Sequence, residues 1–468
     1  MIEYISTRGG VAPQSFTDVL LSGTAEDGGL FIPDEWPEIN LDFLQRMAGM
    51  PYAHVAMEVL KPFIGNTIPQ GDLFRILEQT YSIENFDHAA VAPLVQVGPN
   101  AWILELFHGP TLSFKDYALQ LLGRLFDYEL QRQGKRVTIV GATSGDTGSA
   151  AIHACKDCKN IDIFILHPEG RTSDIQRKQM TTVEADNVHN IAVQGTFDDC
   201  QAIVKTLFSD RGLREELHLS AINSINWARI MAQTVYYAST VLTLGGTARS
   251  VSFSVPTGNF GNVYAGWCAR TMGLPIEDLI VSTNRNDILH RFFGSGKMQV
   301  GSVEPSISPS MDIQVSSNFE RYLCDLCERD HGAVVKLMDS FTKNKAFSLS
   351  GELTHKAQKT FRSYRCDDEQ TLETIKMAYD YTGMLIDPHT AVALYGAMDR
   401  IEDRPDTPTV VMACAHASKF PEAVEQATGK KPVVPAQLDN VLSKPEFFTP
   451  LANDADKIKD FIKQNAKQ

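Results

Sequence analysis

The chain has 468 residues, 43% hydrophobic and 21% charged, which leaves room for two or three globular domains with a substantial core. Its formal net charge of −14 argues against a nucleic-acid backbone or an anionic membrane as the main partner, although a small anionic substrate still fits a local cationic pocket. There is no run of about 18 apolar residues and no basic, apolar leader at residues 1–8, and eight cysteines in so long a chain make no disulfide framework, so a cytoplasmic setting without a membrane span is expected.

Residues 1–95 read as a helix-rich leading domain. A short amphipathic segment at 16–21 precedes the turn Gly28-Gly29 and an extended piece through Pro33, and helical spacing follows at 41–50, 51–62 and 70–80. Over residues 96–230, strands at 102–106, 136–140, 161–166 and 188–193 alternate with helices from 115, at 149–155, 173–182 and 197–208. The same alternation continues over 231–430, with a long helix from about 228 and strands at 251–255, 279–283 and 409–414. This pattern predicts an α/β architecture with mostly parallel sheets, whose ligands sit in loops at the carboxyl ends of strands. Residues 284–350 are less regular and fit a lid or an insertion, and 431–468 read as a peripheral tail. The pairs Cys155/Cys158 and Cys324/Cys327 have zinc-like spacing, but each falls in a helical pattern and the pairs lie far apart, so no metal is expected.

Four stretches carry chemistry. The first reads Phe107-His108-Gly109-Pro110-Thr111-Leu112-Ser113-Phe114-Lys115-Asp116. Ser113 as N-cap, with Asp116 three residues on, predicts a capping box that puts Lys115 in the first helical turn. The partial positive charge of a helix N-terminus favours the neutral amine, a nucleophile for carbonyls. An ordinary surface lysine would look the same in this stretch alone. The second and third are Thr143-Ser144-Gly145-Asp146-Thr147-Gly148 and Pro256-Thr257-Gly258-Asn259-Phe260-Gly261-Asn262, each between a strand and a helix. Neither has Walker or dinucleotide spacing, yet both offer backbone N–H groups to a carboxylate or a single phosphate. A lysine for an aldehyde and a glycine loop for a phosphate is what pyridoxal phosphate requires. The fourth, Asn223-Ser224-Ile225-Asn226-Trp227-Ala228-Arg229, sets two amides and a guanidinium at a helix entry, which suits a phosphate or is merely a cap with a surface arginine. Arg171 is a weaker candidate of the same kind. Cys414, His416 and Lys419 follow the last strand, where a buried thiol and a solvated lysine are equally consistent with the pattern.

Taken in order, residues 107–116, 144–148, 223–229, 258–262 and 415–420, with Tyr4-Ile5-Ser6-Thr7-Arg8-Gly9 and Asp27-Gly28-Gly29-Leu30 before them, resemble the threonine synthase family over nearly the whole chain. The likeness is to the longer form found in fungi and many bacteria. It implies a tryptophan-synthase-β-like, fold type II pyridoxal phosphate enzyme acting on O-phospho-L-homoserine to give L-threonine and phosphate. By the resemblance, Lys115 anchors the cofactor and moves protons, and Gly258, Asn259, Phe260, Gly261 and Asn262 hold its phosphate. The 144–148 loop faces the substrate carboxylate and the ring hydroxyl, which makes Ser144 and Thr147 substrate contacts and Asp146 and Thr147 cofactor contacts. Asp146 is expected to bond backbone donors. Cys414 stands at the pyridine nitrogen, where the family usually has threonine, and Ala417 replaces a common proline. Asn226 and Arg229 are first choices for the substrate phosphate, with Arg171, Thr196 and Lys419 behind them. A monomer or weak homo-oligomer is expected. The competing readings are a phospho-lyase releasing 2-oxobutyrate, a threonine or serine dehydratase, and a non-catalytic binder of phospho-amino acids.

Overall fold

The computed structural model describes residues 2–143, 145–222 and 224–467. Two large sheets frame it. The first runs Arg362–Arg365, Ile276–Thr283, Val251–Pro256, Thr409–Ala413, Ala101–Glu105, Leu94–Gln96, with every neighbouring pair parallel except the last. The second, all parallel, runs Thr449–Ala452, Val188–Gln194, Ile161–Pro168, Val137–Ala142, Leu219–Ser220. Parallel neighbours need crossover connections, and the crossover helices cover both sheet faces. Ile161–Pro168 is accordingly buried at all eight positions. Its one carboxylate, Asp162, is met by Arg136 at 3.1 Å.

The helix Lys115–Gln133 is the central element. It packs against Asp146–Cys155, Trp227–Thr243 and Gln70–Thr80. Gly123 permits the first of these contacts, because a Cβ there would lie 2.4 Å from the Ala154 carbonyl oxygen. Gly134, in the left-handed region at φ 62°, ends the helix.

Three expectations are corrected. The strand Ala101–Glu105 is expected with residues 96–230, but it pairs with Thr409–Ala413 in the first sheet, so the Lys115 helix leaves that sheet and packs on Asp146–Cys155, the helix that follows the second sheet's Val137–Ala142 strand. Residues 431–468 are not a peripheral tail. Thr449–Ala452 is an edge strand of the second sheet, and the helix Ala455–Asn465 buries Ile458 and Ile462 in the same cluster as Val140, Phe164 and Leu166. Residues 284–350 are largely regular, with helices Ile288–Ser295, Phe319–Leu326 and His331–Asn344 and a ladder joining Lys297–Gln299 to Ala346–Ser348. Leu289, Phe292, Phe293, Phe319 and Leu323 of this stretch join the main core, although Val303 and Val315 stay exposed, which local spacing could not reveal.

This region also fastens the leading helices down. Arg8 pairs with Glu320 at 2.9 Å, and Thr7 Oγ1 donates to the same carboxylate at 2.7 Å. Ser6 Oγ donates to Asp27 at 2.8 Å, and the Gly29 N–H donates to it at 2.9 Å, so the two early motifs brace one another. Tyr4 donates to the Phe63 carbonyl at 2.7 Å, and its ring lies 6.0 Å from that of Trp227.

Candidate active site

The predicted capping box is absent. The helix begins at Lys115 with Phe114 as N-cap and no side-chain cap. Ser113 instead forms an isolated bridge with Ala415. Asp116 turns back on its own loop, accepting hydrogen bonds from the Thr111 N–H and the Thr111 hydroxyl, both at 2.8 Å. The turn is tight. Leu112 sits at φ 57°, and a Cβ on Gly109 would lie 2.5 Å from that of Asp116. A non-glycine residue in the left-handed region persists only where its surroundings hold it, and here the turn sets the direction of Lys115.

Lys115 Nζ meets Asp146 Oδ2 at 3.1 Å. Lys419 Nζ meets Asp146 Oδ1 at 2.7 Å, and Gln176 Nε2 donates to Oδ1 at 3.0 Å. Asp146 is therefore held by side chains, not by the backbone donors expected of it. Burial opposes its charge, but the ammonium groups of Lys115 and Lys419 and the bonds from Lys419 and Gln176 outweigh burial and hold the carboxyl well below its usual range. Lys419 is buried, not solvated, and also donates to the Thr111 carbonyl at 2.8 Å. Gly145, at φ 154°, allows this crowding, since a Cβ there would come within 2.4 Å of Gln176.

Across the cleft, Pro256 to Asn262 leads from a strand of the first sheet into the helix Gly261–Thr271. Among the described residues, the N–H groups of Gly258, Asn259, Phe260, Gly261 and Asn262 donate to no protein acceptor. Phe260 takes the left-handed conformation at φ 64° and is locked by the ring of Phe319, 5.0 Å away. A strap around Ser310–Asn318 lies over the loop. Ser316 Oγ donates to the Gly258 carbonyl at 2.8 Å and the Asn318 amide to that of Asn259 at 3.1 Å, while a Cβ on Gly258 would meet the Ser310 carbonyl oxygen at 3.3 Å. Unpaired amides at a helix N-terminus, closed by a strap that lies close over Gly258, fit a phosphate group, and Lys115 on the same cleft fits an aldehyde. The residues present therefore suit pyridoxal phosphate.

Cys414 also lines the cleft. Burial, and after it the Asp387 carboxylate, pushes its thiol well above the usual range, so it is a neutral group. Asn262 Nδ2 lies 3.7 Å from its sulfur, and Asn262 Oδ1 accepts from Tyr236 at 2.8 Å and Tyr237 at 2.9 Å. The thiol is thus positioned by a buried polar network reaching into the long helix Trp227–Thr243.

The anion-binding candidates separate sharply. Arg229 is buried in the cleft wall, and its Nε and Nη1 have no hydrogen-bond partner among the described residues. Burial lowers its pKa to about 10. Asn226 is withdrawn as a ligand contact, because its Oδ1 caps the helix at the Ala228 N–H (2.9 Å) and its Nδ2 donates to the Leu20 carbonyl (2.9 Å). Arg171 is exposed and away from the cleft, and Thr196 caps the helix Phe197–Ser209 in a capping box with Asp199. Thr147 reaches the cleft. Ser144 and Asn223 lie outside the described residues.

Sequence reasoning missed Gln233 and His389, which line the same cleft. Gln233 Nε2 holds the Arg229 carbonyl at 2.8 Å. His389 Nδ1 lies 2.8 Å from buried Asp387, and its Nε2 accepts the Ser310 N–H at 3.2 Å, tying the strap to the helix Pro388–Asp403. The sequence Asp387-Pro388-His389 does announce a helix start. It says nothing about where the imidazole lands.

Three family models cover most of the chain: Threonine synthase N terminus (residues 3–81), Pyridoxal-phosphate dependent enzyme (88–343) and Threonine synthase, C-terminal (390–462). A threonine synthase of Pseudomonas aeruginosa is 51% identical over 468 residues, spanning 100% of this chain and 99% of that protein. One of Saccharomyces cerevisiae is 40% identical over 477 residues, spanning 93% and 92%. Among solved structures, a PLP-bound threonine synthase from Brucella melitensis superposes with TM-score 0.98 at 45% identity over 100% of both chains. Threonine synthase from Escherichia coli superposes with TM-score 0.81 at 30% identity over 99% of both.

Proposed function

The chain belongs to the threonine synthase family, and from that premise we propose that it converts O-phospho-L-homoserine and water to L-threonine and phosphate with pyridoxal phosphate as its cofactor. The observation that carries the substrate is Arg229. The Gly258–Asn262 amides account for one phosphate, that of the cofactor, and a buried guanidinium with two unpartnered nitrogens calls for a second anion. A dehydratase acting on an unphosphorylated amino acid would leave that charge uncompensated.

Bound pyridoxal phosphate supplies the electron sink that stabilises negative charge on the substrate carbons. Lys115 would hold its aldehyde carbon, the 258–262 amides its phosphate, and the neutral Cys414 thiol its ring nitrogen. With its amine free, Lys115 Nζ would serve as the base for the proton at Cα and, once it has passed that proton on, for one at Cβ, and as the acid that returns one to Cγ as phosphate departs. Asp146 keeps Lys419 and Gln176 while Lys115 moves, so freeing the catalytic amine strands no buried carboxylate. Arg229 steadies the phosphate as charge builds on it. The Thr147 amide at the start of Asp146–Cys155, unpaired among the described residues, would receive the substrate carboxylate. The alternative phospho-lyase shares these steps and differs in whether water adds at Cβ.

All eight cysteines are free thiols, which supports a reducing, cytoplasmic setting. Among the described residues no helix is long and apolar enough to cross a membrane. The test is product analysis with O-phosphohomoserine. Equimolar threonine and phosphate are expected, while 2-oxobutyrate in place of threonine would reassign the chain as a phospho-lyase, and no phosphate release would leave it a binder.

A further inference from the structure

A second cavity, of about 430 Å³, lies apart from the cleft, between the helices Lys115–Gln133, Asp146–Cys155 and Gln70–Thr80. Gln120, Arg124 and Asp127 line it from one face of the first helix, and His153 and Lys156 from the end of the second. These are the two helices that begin with Lys115 and Asp146.

Its polar groups are poorly satisfied. Gln120 is 2% exposed. Its Oε1 accepts from Arg124 Nη1 at 3.1 Å, but its Nε2 has no partner among the described residues. Arg124 is half-buried, and neither it nor Lys156 pairs with a carboxylate among the described residues. Burial, and then nearby Lys156, lowers the His153 pKa to about 3, so its ring is neutral, and its Nδ1 is buried without a hydrogen-bond partner among the described residues. Of the cavity's carboxylates, Asp127 accepts from the Asn160 N–H at 3.0 Å and its amide at 3.1 Å, and Asp157 is exposed at the rim. Arg75 is turned to Asp72. What is left over is a buried amide donor and two cations without a salt bridge among the described residues, with Asp157 at the rim as the nearest counter-charge to Arg124, around a hollow within the size range of small-molecule sites. The Gln120 Nε2 amide is buried without an acceptor among the described residues, and Arg124 donates only to the neutral Gln120 side-chain oxygen at 3.1 Å and carbonyl at 3.2 Å, so an anion would meet both groups at a gain.

We propose that this cavity is a second ligand site that binds a small molecule through a phosphate or carboxylate group held by Gln120 Nε2, Arg124 and Lys156. Occupancy bridges the Lys115 helix and the end of the Asp146 helix.

The test titrates the holoenzyme with inorganic phosphate and, separately, malonate, read by calorimetry and by the unfolding midpoint. Arg229 in the cleft also attracts anions, so the titrations use the Arg229→Gln holoenzyme. One saturable site is expected there with at least one probe, and adding Arg124→Gln should weaken it about tenfold or more. Arg124→Gln alone should leave turnover of O-phosphohomoserine within about twofold, since Arg124 touches nothing in the cleft. Binding of phosphate alone identifies a phosphate ester as the ligand class, and binding of malonate alone a dicarboxylate. No saturable binding in Arg229→Gln, or equal affinity after Arg124→Gln, overturns the proposal and leaves the proposed reaction untouched. If Arg124→Gln does not fold, Lys156→Gln carries the same comparison.

Discussion

Replacing Arg229 with methionine separates binding from stability. The guanidinium is buried, has no carboxylate partner among the described residues, and has a pKa lowered to about 10 by desolvation. A lowered pKa on a cation means that its charged form costs more in the folded chain than in the unfolded one. At neutral pH both states are charged, so the whole cost is present. It amounts to about 3 kcal/mol at about 1.4 kcal/mol per pKa unit. Methionine preserves most of the volume and removes that charge. The cofactor-free Arg229→Met chain should therefore unfold at the same temperature or higher. Catalysis should move the other way. Two free N–H groups on a phosphate, each worth about 1.5–3 kcal/mol as charge-assisted bonds, put the loss in kcat/KM near 10²–10⁴-fold. Cofactor affinity should change little, because the proposed seat of that phosphate is the 258–262 amides. Thermal unfolding of the cofactor-free protein and steady-state phosphate release are the assays. A variant that loses several kcal/mol of stability, with activity falling only in step with the folded fraction, would refute the reasoning and make Arg229 a structural residue.

Lys115→Ala should abolish turnover and the visible absorbance of the lysine-bound cofactor, and full activity in this variant would sink the assignment. Asn226→Ala removes a helix cap and a bond to Leu20, so it should cost about 1–2 kcal/mol in denaturant unfolding while leaving the KM for phosphosubstrate unchanged. His389→Gln should loosen the strap through the Ser310 contact, raising the dissociation constant of the cofactor more than it lowers kcat. Asp116 has its pKa raised by burial to about 6, so the folded chain binds its proton more tightly than the unfolded chain does. Stability should accordingly fall as pH rises from about 4 to about 6, by up to about 3 kcal/mol from this group, and Asp116→Asn should flatten that slope in unfolding midpoints measured against pH.

The site was legible in the sequence wherever its chemistry is local. Lys115 does open a helix, and both glycine loops do join a strand to a helix. Their backbone geometry depends on neighbouring residues, so spacing and glycine position report it. The errors are just as consistent. Ser113 and Asp116 have the spacing of a capping box, but Ala415 and Thr111 are better partners in the folded chain. Asn226 and Arg229 looked like a pair of phosphate ligands. One is consumed by Leu20 and its own helix, and the other is left unpaired in the cleft.

The order of strand and helix types, the lysine at a helix start and the two glycine turns between strand and helix were determined by the sequence itself, because each depends on propensities and steric rules acting over a few residues. The tertiary structure alone decided that the strand Ala101–Glu105 joins Thr409–Ala413, that the strand Thr449–Ala452 completes the second sheet, and that Lys419 shares Asp146 with Lys115. It also decided that His389 reaches Ser310 from 79 positions away. Such contacts are set by how buried surfaces fit together once hydrophobic burial has brought distant segments side by side, and no local pattern encodes which partner a buried charge will find.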